Sequence, residues 1–529
     1  MKKLSVALWF LSLVTSAGTA SAGHLVVENT SARAITCTAD GWTAASGYVT
    51  DRKFRVEPGA TLSIEPNARR RGAALIDWAE CGTGLRTRKM GITPDGADSR
   101  LIVNGQQVRT LKASLYPYIP NVPGETFDNL VRLLTNRYQQ MYPDVLLQLV
   151  MDPNVDIYSY TNLPKLLGAG GFDVLEMDML YLAFVANSGL INQATISGTQ
   201  PMPVARKAVT YLDQVWAVPS WLCIDFFYGR QEQVQSINSL PALLSYLGTM
   251  PSGPPALVGD FNGSWRLPAM YINTFVQTYG YNSLPKAFVM PPEPQTIAKM
   301  VTLTDTCAAY GYNNCTNNSF HSQPNGTTEL WFARNYASND VGFSEQSFFM
   351  NYYGITYPIY AVPMPWGPSR QPLLYADGLV TNSTTCRPAT PCSRDAQNFM
   401  NMITDPQTKL LIVTSADYQG TQPWRTLLVP SQDFYNLPQI SKNFLYQQYV
   451  RVFADAQPFP NNFTAAQQTQ MATQICRALK QFRTAYSCST SEEDVEKEPT
   501  NRPGRSIGRS DIMAAQPAVM APKEPSLVQ

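Results

Sequence analysis

Nine cysteines and two histidines limit the chemistry that this 529-residue chain can perform. Histidine occurs only at His24 and His321, which excludes a multi-histidine metal site and disfavours a Ser-His-Asp or Cys-His centre. Reactive groups must therefore be carboxylates, tyrosines or a cysteine. We expect neither a metal site nor a cofactor.

The positions of eight of the nine cysteines in the sequence predict four disulfide pairs. Two stand alone in the N-terminal segment, and the other six form pairs separated by short stretches. The predicted disulfides, which an oxidising compartment would favour, are Cys37–Cys81, Cys307–Cys315, Cys386–Cys392 and Cys476–Cys488. Cys223 is left over, and it is a buried core residue, an intermolecular bridge or a reactive nucleophile.

Polar side chains gather at the ends of several predicted strands. In a parallel α/β sheet the carboxyl ends of the strands meet at one edge, where ligands bind. Paired aspartates suit the donors and acceptors of an aminopyrimidine edge, and tyrosine faces suit its ring. Asp178, which precedes MLYLAF, also fits the N-cap of a helix. The candidates are Tyr116, Tyr118, Asp173, Asp178, Glu345, Tyr375 and Asp377.

Strands and helices alternate from about residue 110 onward, which predicts an α/β region with a mainly parallel sheet. The predicted strands are LKASLY, DVLLQLV, GFDVLEMD, QVWAVPSW and CIDFFYG. One amphipathic helix begins near Thr126, another covers LYLAFVANSGL, and a long helix covers about 465–486. The predicted α/β domain covers residues 109–488.

The two ends of the chain differ from this region. Residues 1–22 combine Met1-Lys2-Lys3, a short apolar run and an A-x-A site, which predicts a signal peptide cleaved near Ala22. Residues 23–108 alternate in short segments between Gly, Pro and Asp, which predicts a small β-rich domain. Residues 489–529 are charged and then Pro- and Ala-rich, which predicts a disordered tail. We therefore expect a secreted or periplasmic protein with no membrane span.

Composition argues against a nucleic-acid partner. Forty basic residues face 39 acidic ones, and the net charge of +1 gives no field of the kind that binds a phosphate backbone. Hydrophobic residues at 44% and aromatics at 11% are typical of a globular protein. We expect a monomer.

Five sequence blocks carry a resemblance to a known family. In order they are LKASLYPYIP, DVLEMDMLYLAFVANSGLI, VWAVPSWLCIDFFYG, LWFARNYASNDVGFSEQ and LLYADGLVTNS. Their order and spacing from about residue 110 to 487 resemble those of thiaminase I, the thiamine pyridinylase family. The strongest blocks are V-x-x-x-P-x-x-L-C, which ends at Cys223, and W-F-A…G-F-S-E, which ends at Glu345.

The resemblance implies a two-lobed, periplasmic-binding-protein-like (type II) α/β fold with the substrate in the cleft between the lobes. It implies that Cys223 is the nucleophile that attacks the pyrimidine of thiamin and that Glu345 is its general base. Two residues depart from the family pattern, because Phe343 and Gly326 stand where the family has tyrosines. The substrate-binding residues are predicted to be Tyr116, Tyr118, Tyr158, Asp173, Asp178, Phe343, Tyr375 and Asp377.

The function implied is that of an exported transferase without a cofactor. It would displace the thiazole of thiamin, or of a thiamin-like pyrimidine, with a small amine or thiol through a cysteine-bound intermediate. The alternative is a non-catalytic solute-binding protein for thiamin or a related pyrimidine, which needs neither Cys223 nor Glu345. A third possibility is an exported interaction protein that acts through its β-rich domain.

Overall fold

The chain divides into two compact units, Met1–Gln106 and Gln107–Gln529. The predicted signal peptide, His24 and the predicted tail lie outside the described residues. The computed structural model describes residues 25–30, 34–43, 47–64, 74–81, 85–88, 99–103, 109–142, 144–263, 265–321, 323, 326–368, 371–418, 422–483 and 486–488.

The described part of the N-terminal unit consists of strands. They form a three-stranded sheet in the order β4-β1-β7 and a four-stranded sheet in the order β3-β2-β5-β6. Cys37 is disulfide-bonded and lies opposite position 81 in the register of β2 and β5. The strands are β1 (Leu25–Asn29), β2 (Ile35–Thr43), β3 (Gly47–Val56), β4 (Thr61–Ile64), β5 (Ala74–Cys81), β6 (Leu85–Arg88) and β7 (Ser99–Val103).

The larger unit alternates strands with helices, as the sequence predicts. Its strands are β8 (Arg109–Ser114), β9 (Val145–Val150), β10 (Val174–Asp178), β11 (Thr210–Tyr211), β12 (Gln214–Val215), β13 (Val218–Cys223), β14 (Asp225–Gly229), β15 (Val258–Gly259), β16 (Ala308–Ala309), β17 (Tyr312–Asn313), β18 (Asp340–Phe343), β19 (Tyr360–Pro363), β20 (Leu373–Thr381) and β21 (Gln457–Pro458).

Its helices are mostly short. They are α1 (Asp128–Met141), α2 (Leu163–Leu166), α3 (Leu182–Asn187), α4 (Pro203–Ala208), α5 (Leu240–Leu247), α6 (Arg266–Tyr279), α7 (Leu284–Ala287), α8 (Pro294–Asp305), α9 (Thr327–Ala333), α10 (Ser347–Tyr352), α11 (Pro391–Thr404), α12 (Pro406–Val413), α13 (Gln432–Tyr435), α14 (Pro438–Ser441), α15 (Phe444–Tyr449) and α16 (Ala465–Phe482).

The first sheet of the larger unit has the order β9-β8-β10-β20-β13, with β21 beside β20. Strands β8, β9, β10 and β13 run in one direction, and β20 runs opposite to both of its neighbours β10 and β13. Strand β20 is buried along nearly its whole length, which explains its continuous apolar run LLYADGLV. The sheet is therefore mainly parallel, with one antiparallel strand inserted near its edge.

A second sheet of the larger unit has the order β15-β18-β14-β19. The chain leaves the first sheet at the end of β13 and enters the second at the start of β14, with one residue, Ile224, between them. It returns over the segment that joins β19 to β20. Residues at the ends of these strands therefore lie where the two sheets meet.

Apolar side chains from both sheets and the helices around them form the core. Leu130, Leu134 and Tyr138 recur at helical spacing on α1, are buried, and pack toward β9. None of the helices in the described part of the chain is both long and apolar enough to cross a bilayer.

Three of the four predicted disulfides are present in the larger unit, between Cys307 and Cys315, Cys386 and Cys392, and Cys476 and Cys488. Among the described cysteines, Cys223 is the free one. The bond between Cys37 and Cys81 stays a prediction.

Alkylation under denaturing conditions without reduction should add one label to the protein, on Cys223. The reason is that the four disulfides leave a single thiol able to react. Intact-mass spectrometry counts the labels, and a peptide map locates them; a fully reduced sample, which should take nine labels because the chain has nine cysteines, is the control. Two or more labels without reduction would contradict the pairing.

Candidate active site

The carboxyl edge of the first sheet brings several predicted residues together. Cys223 is the last residue of β13, Asp178 is the last residue of β10, and Tyr116 follows β8 by two residues. Because β20 runs in the opposite direction, Tyr375 and Asp377 lie near its beginning, beside those strand ends. Cys223 is opposite Tyr375 in the register, and Asp178 is opposite Asp377.

The second sheet contributes the glutamate. Strand β18 ends at Phe343, and Glu345 lies in the 3₁₀ turn Ser344–Gln346 that follows. Asp225 begins β14 two residues after Cys223 and lies opposite Phe343 in the register. Cys223 and Glu345 therefore face each other from the two sheets.

Buried hydroxyl groups hold the turn that carries Glu345. Tyr228 donates to the carbonyl oxygen of Phe343 at 2.8 Å, and Tyr449 donates to that of Ser344 at 3.2 Å. The Ser344 hydroxyl donates to the Glu345 carboxylate, with 3.0 Å between Oγ and Oε2. These contacts fix the backbone of the turn and orient the carboxylate.

The thiol of Cys223 and the carboxyl of Glu345 lie close enough for each to shift the pKa of the other. Burial raises the pKa of the thiol well above its usual range, and the charges of Glu345, Asp377 and Asp178 raise it further. Burial also raises the pKa of Glu345 to about 7. The pair is a protonated thiol beside a carboxyl that titrates near neutrality, as a nucleophile and its base require.

Two aspartates lie next to each other in the first sheet, near the cysteine. Asp178 and Asp377 are both buried. Burial raises the pKa of Asp377 well above its usual range, and the charges of Asp178, Glu176 and Glu345 raise it further. The Asp178 carboxylate accepts from the backbone N–H of Leu180 at 2.9 Å, which confirms its predicted N-cap role.

Three of the predicted tyrosines form one cluster near these aspartates. The Tyr118 ring centroid lies 5.3 Å from that of Tyr116 and 5.4 Å from that of Tyr158. The hydroxyls of Tyr116 and Tyr158 are hydrogen-bonded, and Tyr181 donates to the carbonyl of Tyr158 at 2.8 Å. Burial raises the pKa of Tyr116 well above its usual range, and the charges of Asp377 and Cys223 raise it further.

A second aromatic group surrounds Tyr375, which lies opposite Cys223 in the register of β13 and β20. The rings of Phe343 and Tyr375 have centroids 5.9 Å apart, and Tyr375 also packs against Trp265 at 5.6 Å and Phe459 at 4.7 Å. The guanidinium carbon of Arg266 lies 4.9 Å from the Phe343 centroid. Trp265, Arg266 and Phe459 were not predicted, because no strand-end pattern marks them in the sequence.

Asp173 does not join the other predicted residues. It precedes β10, whereas Asp178 ends the same strand, so the two carboxylates lie at opposite ends. Asp173 accepts from the backbone N–H of Lys112 at 2.8 Å and lies near the sulfurs of Cys386 and Cys392. Those sulfurs form a disulfide and offer no thiolate to a metal. The position of Asp173 therefore gives it a structural role, away from the predicted substrate site.

The backbone explains why Gly326 cannot be a tyrosine here. Gly326 has a φ of +90°, and a Cβ atom at this position would lie 2.8 Å from the ring of Phe349. The aromatic side chain of the family pattern is therefore replaced by a tight turn before α9.

A buried lysine that contacts β13 also escaped sequence analysis. Lys409 is fully buried, and its Nζ donates to the Ser220 hydroxyl at 2.8 Å. Ser220 in turn donates to the carboxylate of Glu176, which is also buried. Lys409 is the one charged residue in PQTKLLIV, which is its only signal in the sequence.

The comparisons with known proteins agree with this architecture. The maltose-bound MalE3 of T. maritima matches with a TM-score of 0.52 at 14% identity, over 73% of this chain and 97% of that one. The larger unit therefore has the two-lobed fold of the type II periplasmic binding proteins, as predicted.

Thiaminase I shares this fold and matches slightly better. The Clostridium botulinum enzyme in complex with thiamin has a TM-score of 0.56 at 17% identity, over 70% of this chain and all of that one. The Bacillus thiaminolyticus enzyme has a TM-score of 0.54 at 17% identity, over 70% of this chain and 99% of that one. No protein-family model and no curated protein sequence matches the chain.

Proposed function

We propose that the protein is an exported thiaminase-I-like transferase. It cleaves thiamin by replacing the thiazole on the pyrimidine methylene with a small amine or thiol. The observation that carries the proposal is the pairing of a free, half-buried Cys223 with Glu345, whose pKa is about 7 and whose charge acts on the thiol. A binding protein of the same fold needs no such pair.

Each side chain in the cleft has a role in this reaction. Glu345 takes the proton of Cys223, and the thiolate then adds to the pyrimidine ring. The thiazolium ring carries its own positive charge, so it departs as a neutral thiazole without an acid. The incoming amine or thiol bonds to the methylene and loses its proton to a base, and the ring releases the Cys223 thiolate.

The surrounding groups suit the ligand that this chemistry requires. Asp178 and Asp377 offer hydrogen bonds to the aminopyrimidine edge, and the rings of Tyr116, Tyr158 and Tyr375 offer aromatic surface to its faces. The Phe343 ring lies over Arg266 where the family has a tyrosine. This departure changes the aromatic wall but leaves both reactive groups in place.

A solute-binding protein is the second candidate, and the fold shared with a maltose-bound MalE3 favours it. In that case Cys223 and Glu345 would be residues of a binding cleft. Turnover is what separates the two candidates.

Incubation of the purified full-length protein with thiamin and aniline tests the proposal. We expect mass spectrometry to show free thiazole and a pyrimidine-methyl aniline product, each dependent on both substrates. Samples without aniline or without protein are the controls. Intact thiamin after long incubation, with binding seen by calorimetry, would contradict the enzyme and support the binding protein.

A further inference from the structure

One short segment of the larger unit is bonded to the strand that carries Cys223. Residues 425–428, called here the 425–428 segment, lie between α12 and α13. The carbonyl oxygen of Leu428 accepts from the backbone N–H of Leu222 at 2.9 Å, and the two residues form an antiparallel bridge. Leu222 and Cys223 are the last two residues of β13. The segment therefore holds this strand at the residue next to the thiol.

The same segment is bonded to the turn that carries Glu345. The Thr426 hydroxyl donates to the carbonyl oxygen of Ser344 at 3.1 Å, and its Oγ1 atom lies 2.6 Å from the Oγ atom of Ser347. Ser344 is the residue before Glu345, and Ser347 lies two residues after it. All three of these bonded residues are buried. One buried hydroxyl thus links the 425–428 segment to both sides of the proposed base.

The backbone at Thr426 is strained. Its φ is +48°, in the left-handed region, where a β-branched residue is a genuine outlier. Such a conformation is costly and persists only when the surrounding structure imposes it, and residues of this kind cluster at functional sites. Here the strained residue is the one whose hydroxyl reaches the turn of the base.

The neighbours of Thr426 hold it in this conformation. On one side, the fully buried Arg425 forms a bidentate ion pair with Asp417, with N–O distances of 2.6 and 2.9 Å, and its Nε donates to the carbonyl of Pro120 at 2.9 Å. On the other side, the bridge through Leu428 holds the chain against β13. The position of the Thr426 hydroxyl is therefore fixed from both directions along the chain.

The spacing between Cys223 and Glu345 depends on a connection between two sheets, because the thiol belongs to the first and the carboxylate follows a strand of the second. Proton transfer between two groups requires that they lie within hydrogen-bond reach. A misplacement of about 1 Å caused by a distant residue can cost about 10²-fold in rate. A segment that is bonded on both sides of this connection is placed to set the spacing.

We propose that the 425–428 segment sets the spacing between Cys223 and Glu345, and that Thr426 is the positioning residue that holds the turn of the base. The inference rests on the proposed function and goes beyond it by assigning the alignment of the reactive pair to a part of the chain outside the strand ends. In this role Thr426 acts through the backbone of Ser344 rather than on the substrate.

Thr426→Val tests this role, because it removes the hydroxyl and keeps the branched shape of the side chain. With full-length protein, thiamin and aniline, kcat should fall about ten- to a hundredfold, while the thiamin affinity measured by calorimetry without aniline stays within about twofold. Thr426→Ser keeps the hydroxyl and should retain kcat within about threefold of wild type. Thr426→Gly suits the positive φ, lacks the hydroxyl and should lose kcat as the valine variant does, so the test holds even if the valine variant does not fold.

A second buried threonine supplies the matched control. Thr304 is buried on α8, and its hydroxyl donates to the carbonyl oxygen of Met300 at 3.0 Å. Thr304→Val removes the same group from a comparable environment, so it should lower the melting temperature about as much as Thr426→Val does. Its kcat should stay within about twofold of wild type, because Thr304 has no bond to the 425–428 segment among the described residues.

A further readout needs no thiamin. The rate at which iodoacetamide alkylates Cys223 in the folded protein depends on removal of the thiol proton. This rate should fall in Glu345→Gln and also in Thr426→Val, and it should stay within about twofold of wild type in Thr304→Val. The loss in Thr426→Val is one that a purely structural residue would not produce.

The outcomes separate this inference from the proposed function. Wild-type turnover together with an unchanged kcat and alkylation rate in Thr426→Val would overturn the inference alone. Equal losses of kcat in Thr426→Val and Thr304→Val would mean a general effect on stability and would also overturn it. Wild-type protein that binds thiamin without turnover, with alkylation that still falls in Glu345→Gln and Thr426→Val, would contradict the proposed function and support the positioning of the pair.

Discussion

Replacement of Cys223 with serine should abolish turnover, with a loss on the order of 10⁴–10⁶-fold, as is usual when a nucleophile is removed. Cys223 is the free cysteine among those described, and the charge of Glu345 acts on its thiol. A carboxylate with a pKa of about 7 can draw the proton from a thiol but is far too weak a base for an alcohol. Release of thiazole, followed by mass spectrometry, measures the effect.

Folding and binding should survive this substitution, which changes one atom at a half-buried position. Thiamin should still raise the melting temperature, because a ligand at 100 times its dissociation constant stabilises the fold by about 2.7 kcal/mol. Cys223→Ala is the matched control, and it should lose turnover to the same extent.

Wild-type protein should also trap the intermediate. A thiamin analogue supplied without a second nucleophile should leave a pyrimidine adduct on Cys223, and a peptide map locates it. An adduct on another residue, or full activity in the serine variant, would exclude Cys223 as the nucleophile and favour the solute-binding function.

Local patterns predicted much of this architecture from the sequence. The strands β8, β9, β10 and β13 follow from short apolar runs, and the leftover cysteine follows from pairing the others. The direction of β20 does not follow, because LLYADGLVT is apolar throughout and a buried strand has the same composition in either direction. The antiparallel insertion is what brings Asp377 beside Asp178.

Asp173 shows where strand-end reasoning fails. The sequence places Asp173 and Asp178 around one apolar run, and either could be the residue at the ligand edge. At about 3.3 Å per residue the five-residue strand separates them by roughly 16 Å, so only one can reach the cleft. Chain direction assigns that place to Asp178, because ligands bind at the carboxyl ends of strands.

Residues that reach the cleft from distant parts of the chain were missed for a different reason. Trp265 and Phe459 both pack against Tyr375, although they are nearly two hundred residues apart in the sequence. Lys409 on α12 contacts Ser220 and Trp221 of β13. Nothing in their local sequence distinguishes them from core residues. Their contacts depend on tertiary packing, which only the folded chain shows.

Fold alone leaves the choice between catalysis and binding open, since thiaminase I and a maltose-binding protein share this architecture. The choice depends on two side chains that come from different sheets. Cys223 ends a strand of the first, and Glu345 follows a strand of the second. A change in the angle between the sheets would therefore alter the contact between the nucleophile and its base.

Replacement of Glu345 with glutamine should lower the rate by about 10²–10⁴-fold, the usual contribution of a general base, and leave thiamin binding largely intact. The amide keeps the size of the side chain but cannot accept the thiol proton. Steady-state kinetics should therefore show the loss in kcat, with little change in the affinity measured by calorimetry.

The pH dependence of the rate also tests the role of Glu345. Because the pKa of Glu345 is about 7, the active, ionised form increases as the pH rises, so the wild-type rate should climb through pH 7 and level off above it. The thiol has a pKa raised well above its usual range and stays protonated across this interval. In Glu345→Gln the rise of the rate near pH 7, called here the pH limb, should disappear.

A second buried glutamate supplies a matched control for that experiment. Glu329 also has a pKa raised to about 7 by burial, and it lies on α9, whereas the charges that raise the pKa of Cys223 are those of Glu345, Asp377 and Asp178. Glu329→Gln should change the rate by no more than about threefold, the scale expected away from reacting groups, and keep the limb near pH 7. If Glu345→Gln instead retained full turnover and that limb, another group would have to deprotonate Cys223, and the proposed base would be wrong.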